Sequence, residues 1–83
     1  MSEQTDRKVA AAQEMARKFL DIPIAMTVLN GKVYGTYIGN WKPYTIPADF
    51  ATASLALEMG LFTPTRDGEI DGQPVKWYMN RRP

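Results

Sequence analysis

The pair Asn30-Gly31, set between two apolar-rich runs at 24–29 and 32–38, constrains this chain more than any other feature. Asn-Gly is the preferred central pair of a type I′ turn, because both residues tolerate positive φ and the turn's twist matches that of paired strands. A two-residue turn also sets register. It places Leu29 opposite Lys32, Val28 opposite Val33, Met26 opposite Gly35 and Ile24 opposite Tyr37. Strand side chains alternate between faces, so Ile24, Met26, Val28, Val33 and Tyr37 are expected together on one buried face. The outer face takes Thr27, Leu29, Lys32, Tyr34, Thr36 and Ile38.

Gly39-Asn40 reads as a second two-residue turn that extends the hairpin to a three-stranded meander. The third strand then turns Tyr44 and Ile46 to the core and Trp41, Pro43 and Thr45 outward. Pro43 cannot donate to a ladder, so this strand is expected to be short and at an edge. Helices flank the meander. Val9, Ala12, Ala16 and Phe19, with Met15 and Leu20, recur at helical spacing, and Pro23 ends that helix by Asp21 or Ile22. Ser2 or Thr5 is the candidate cap, and Glu14 and Lys18 form a favourable i, i+4 pair. A second helix is expected over residues 47–59, with Pro47 in its first turn and Gly60-Leu61 as its C-terminal cap. Ala51, Ala53 and Ala56 allow this helix to approach the sheet closely. Two aspartate-glycine pairs follow, Asp67-Gly68 and Asp71-Gly72, and one of them turns a last hairpin with a return strand at 75–79. Val75, Trp77 and Met79 share one face of it, and Lys76 and Tyr78 the other. The predicted class is α+β: N-terminal helix, three-stranded antiparallel meander, second helix, C-terminal β-hairpin. At 83 residues this is one small globular domain.

The residue inventory narrows the chemistry. The chain has neither histidine nor cysteine, so the usual neutral-pH base, the thiolate nucleophile and the commonest transition-metal ligands are missing. Its nine carboxylates show no recognisable catalytic spacing. The expectation is a protein that is not an enzyme and uses no cofactor and no metal. Asp67, Glu69 and Asp71 superficially match the first positions of a calcium loop, but position twelve of that loop falls on Tyr78 instead of a glutamate. That stretch is turn chemistry. No signal peptide and no membrane-spanning run is present, and the expected compartment is the cytoplasm, without membrane partners.

The net charge of +1 is far from the strongly basic balance of most nucleic-acid binders. Its distribution is uneven. Residues 22–48 hold Lys32 and Lys42 with no acid, 49–71 hold five acids against Arg66, and 72–83 hold Lys76, Arg81 and Arg82 with no acid. Separate patches of opposite sign suit oriented docking on another macromolecule.

The candidate partner-binding residues are Lys32, Tyr34, Trp41 and Lys42 on the outer meander face, with Lys76, Arg81 and Arg82 in the tail. Exposed aromatics beside lysines anchor protein interfaces. They also stack bases. A third possibility is that the C-terminal strand or the first helix covers this face, which makes Trp41 part of the core. The tail, a helix ending in Met59-Gly60-Leu61 followed by Lys76-Trp77-Tyr78 and Arg81-Arg82, resembles the β-hairpin wing of winged-helix DNA binders. That resemblance implies a small nucleic-acid-binding regulator. The helix over 49–58 nevertheless lacks Arg, Lys, Asn or Gln to read base edges, and a meander separates the two helices. In size, residue types and patchy charge the chain resembles small bacteriophage proteins that dock on a host machine. The leading expectation is an interaction protein that binds a larger protein or nucleoprotein assembly and blocks or modulates it, with nucleic acid as the alternative partner.

Overall fold

The computed structural model describes residues 3–80, in which two helices and a five-stranded antiparallel sheet form an α+β fold. The elements are α1 (Glu3–Lys18), β1 (Ile24–Leu29), β2 (Lys32–Tyr37), β3 (Tyr44–Ile46), α2 (Phe50–Glu58), β4 (Thr63–Ile70) and β5 (Gln73–Met79). Strand order across the sheet is β3-β2-β1-β5-β4. The expected meander and hairpin are therefore not separate units, because β5 pairs with β1, with Met26 opposite Tyr78. The connection from β3 to β4 carries the chain from one edge of the sheet to the other, and α2 lies within that crossing.

The Asn30-Gly31 turn forms as expected, with φ of 51° and 77°, and the four expected β1–β2 pairs are all among the six observed. Asp71-Gly72 makes the second tight turn, with φ of 49° and 80°, while Asp67-Gly68 lies inside β4. Between β2 and β3 there is no two-residue Gly39-Asn40 turn. The chain needs residues 38–43 to return, and both Gly39 and Trp41 adopt positive φ there.

Both helix ends of α2 carry recognisable stops. Asp49 is its N-cap and accepts from the Thr52 N–H at 2.9 Å, so Pro47 stands before the helix and not in its first turn. At the other end Gly60 at φ 74° lets its own N–H and that of Leu61 reach Leu57 and Ala56, which closes the last turn. Thr5 is inside α1 and not its cap, while Ser2 lies outside the described residues. Glu14 pairs with Arg17 at 2.6 Å instead of with Lys18.

One core lies between the helices and the sheet. Ala12, Met15 and Ala16 of α1 and Ala53 and Ala56 of α2 pack with Met26, Val33 and Phe62. The small alanines bring the helices close, and the larger side chains supply most of the driving force, about 1.5–3 kcal/mol each for Met26, Val33 and Phe62. Phe19 meets Phe62 edge-to-face at 5.7 Å. The end of α1 is tied to β5: Asn80 donates its side-chain amide to the Ala16 carbonyl at 2.6 Å, and Asp21 N–H donates to Asn80 O at 2.9 Å.

The expected core face needs two corrections, at Tyr37 and at Tyr44, which is 38% exposed. Met26 and Val33 are buried and Ile24 and Val28 half-buried, but Tyr37 is 53% exposed. It sits on the last residue of β2, and its ring lies against Tyr44 of β3 at 5.9 Å and not under a helix. Among the described residues no helix is long and apolar enough to cross a membrane.

Candidate functional site

Alternation along the strands gives the sheet a second face, and no helical residue takes part in its packing. Pairing carries one row of side chains across all five strands. Thr45 stands opposite Tyr34, Tyr34 opposite Thr27, and Trp77 opposite Arg66. Since Met26 faces Tyr78, Thr27 falls beside Trp77 and completes the row. Ala25, Ile70, Trp77 and Met79 are buried here, with Leu29, Tyr34, Ile38, Trp41 and Val75 half-buried around them. The Trp77 indole lies against Gly68 of β4, where any Cβ would come within 2.6 Å of its Nε1. Glycine makes that close approach possible.

The 38–43 loop closes over part of this face. Ile38 N–H donates to Pro23 O at 3.0 Å, Trp41 N–H to Tyr37 O at 3.1 Å, and Lys42 N–H to the Asn40 side-chain oxygen at 2.9 Å. These bonds fold the loop back so that Ile38 and Trp41 pack on the second-face cluster. Thr36 is completely buried, and its hydroxyl has no hydrogen-bond partner among the described residues.

The most unusual contact lies on the exposed side of this cluster. The Arg66 guanidinium rests over the Trp41 ring, with Cζ 4.4 Å from the centroid. Arginine stacks well on indole because its planar cation meets the negative face of the ring and is only weakly hydrated. Arg66 reaches this position in the regular register that the Asp71-Gly72 turn sets, which puts it opposite Trp77 and on the same face. The register of β4 against β5 shifts only farther from the turn, between Arg66 and Pro64. Sequence reasoning left Arg66 out of the site. Choosing Asp71-Gly72 as the turn would have set Arg66 opposite Trp77 by counting alone.

The expected partner-binding residues divide. Tyr34 and Trp41 are together on the second face, both half-buried in its packing and not standing free. Lys32, at the start of β2, and Lys42, next to Trp41, are both exposed. Lys76 is not with them. It occupies the opposite, helix-side face of β5, where Asp67 stands across from it and the two pair at 2.6 Å. The hydrogen bond that the Lys76 ammonium donates to the Asp67 carboxylate, and then the charge of that carboxylate, hold Lys76 above its ordinary pKa. Arg81 and Arg82 lie outside the described residues.

The acids also sort by face. Asp67 and Glu69 stand opposite Lys76 and Pro74 and so share the helix side of the hairpin, while Asp71 is in the turn. No strand turns a carboxylate to the second face. Among the described residues no three carboxylates gather as metal ligands. On the helix side, a cleft of about 470 Å³ lined by Met15, Phe19, Ile46 and Pro47 opens between α1 and the β3–α2 connection. Tyr37 and Tyr44 are the exposed aromatics on that side of the sheet. Burial is the main cause that pushes the Tyr44 hydroxyl above its ordinary pKa, with a contribution from Tyr37.

Comparison with protein-family models, with curated protein sequences and with solved structures finds no match to this chain.

Proposed function

We propose that this protein is a non-enzymatic interaction module that docks its second sheet face on a larger protein or nucleoprotein assembly and thereby blocks or modulates it. The observation that carries this reading is the Arg66–Trp41 stack on a sheet face that no helix packs against. Tryptophan and arginine are the residues most enriched at the energetic centres of interfaces, and here they are already assembled. Tyr34 supports them in the same cluster, and Lys32 and Lys42 are exposed cations suited to steering an anionic partner.

One observation favours a nucleic-acid partner as the second reading. Asp67 and Glu69 of the hairpin are on its other face, so they do not oppose phosphates approaching Arg66. Affinity capture from a cell lysate, with and without nuclease, compares the two readings. The protein reading expects a partner retained by the wild type, lost with Trp41→Ala and indifferent to nuclease. Capture of nucleic acid alone, insensitive to Trp41→Ala, would overturn it.

A further inference from the structure

We infer that Arg66, laid on the Trp41 indole, is a carboxylate receptor, and that this face takes an aspartate- or glutamate-rich segment of a partner protein. The inference rests on the reading of this face as a docking surface and adds the chemistry of its partner.

Stacking on the indole leaves the hydrogen-bond donors of Arg66 unused. With Cζ 4.4 Å over the ring, the guanidinium is held by cation–π attraction, and among the described residues its N–H donors make no hydrogen bond to a carboxylate. Arg66 takes no part in the Glu14–Arg17 and Lys76–Asp67 ion pairs. Arg66 is nevertheless exposed. It is therefore a cation whose position is fixed by the protein and whose fork of donors is left for another molecule. A carboxylate matches that fork with two parallel hydrogen bonds. Because the side chain is already held on the indole, little rotamer freedom remains to be lost on binding.

The surroundings select the same sign. Alternation turns Asp67 and Glu69 away from this face, and Lys76 neutralises Asp67 on the far side. Lys42 follows Trp41 directly and Lys32 stands in the strand that carries Tyr34. Among the described strand residues no acid on the face competes for these cations, so an incoming carboxylate meets complementary charge.

The aromatic geometry favours a protein segment over single-stranded nucleic acid. Sequence-tolerant strand binding depends on open aromatic faces on which bases stack. Trp77 is 2% exposed, Tyr34 is half-buried, and Arg66 already occupies a face of Trp41. The rings are used to position the arginine.

The test uses fluorescence anisotropy at low salt with two probes, a fluorescein-labelled oligoglutamate and a labelled oligothymidylate of equal charge. Wild type is expected to bind oligoglutamate more tightly than oligothymidylate. Arg66→Lys, which keeps the charge but loses the planar fork, should weaken oligoglutamate binding about tenfold. Arg7→Lys, on the exposed surface of α1, should leave it unchanged. Circular dichroism confirms that each variant is folded. No binding of oligoglutamate, equal binding by Arg66→Lys, or a preference for oligothymidylate would overturn the inference. A captured cellular partner that is lost with Trp41→Ala but kept with Arg66→Lys would sink the carboxylate receptor and leave the docking face standing. A partner indifferent to both variants would remove both.

Discussion

Replacing Gly68 by alanine tests whether the second sheet face is a packed layer in its own right. Gly68 has no positive φ, so the backbone itself accepts alanine. The new Cβ would stand 2.6 Å from Trp77 Nε1 and 2.9 Å from Cδ1. Optimal separation is about 3.5–4.0 Å, so the ring must yield by roughly 1 Å. Trp77 is 2% exposed and packed with Ala25, Ile70 and Met79, so it has nowhere to turn without disturbing them. Overpacking of this kind costs about 1–3 kcal/mol, offset by roughly 0.4–1 kcal/mol from the stiffer unfolded chain. The net expectation is a loss of about 1–2 kcal/mol, which lowers Tm by roughly 5–15 °C in a domain this small. Gly35→Ala is the internal comparison. Its Cβ also comes to 2.6 Å from a neighbour, but that atom is Cδ1 of Ile46, the flexible end of a half-buried side chain on the edge strand β3. Gly35→Ala should therefore cost less. Urea and thermal unfolding, with near-ultraviolet circular dichroism to follow the tryptophans, measure both. A neutral Gly68→Ala, or a Gly35→Ala that is the worse of the two, would refute the reasoning.

Two further perturbations follow from named contacts. Thr36→Val removes a buried hydroxyl that has no partner among the described residues, and it should raise stability by about 1–2 kcal/mol in urea melts; a loss instead would mean that the hydroxyl is bonded in solution. Hydrogen bonds from the Thr52 backbone and then its hydroxyl hold the Asp49 carboxyl below its ordinary pKa. Its stabilising contribution is thus complete above the usual aspartate range and disappears as pH falls through the lowered value. Asp49→Ala should accordingly destabilise α2 at neutral pH, and the difference from wild type should shrink in acid-side melts; a difference that does not change with pH would contradict the capping role.

Local signals were legible and long-range ones were not. Asn30-Gly31 specified β1 and β2 residue by residue because a two-residue turn leaves one register. Gly60 marked the end of α2 because positive φ there favours glycine. The exposure of Tyr37 was illegible, since alternation assigns a face but does not say how far a helix extends over it. The burial of the second face depended on β5 pairing with β1, a contact between strands far apart in sequence. Without that pairing, Tyr34 and Trp41 read as surface aromatics, and nothing local tells that Trp77 lies beside them. Arg66 was hidden by the open choice between two aspartate-glycine turns, since only counting from Asp71-Gly72 sets it opposite Trp77.

The docking face itself is tested most directly by titrating isotope-labelled protein with its captured partner and following amide and indole signals by NMR. The Trp41 indole N–H, the Arg66 Nε–H and the amides of β2 and β4 are expected to shift or broaden first. Perturbations confined to Tyr37, Tyr44 and the α1 cleft, with the Trp41 and Arg66 signals unmoved, would place the partner on the helix side and contradict that expectation.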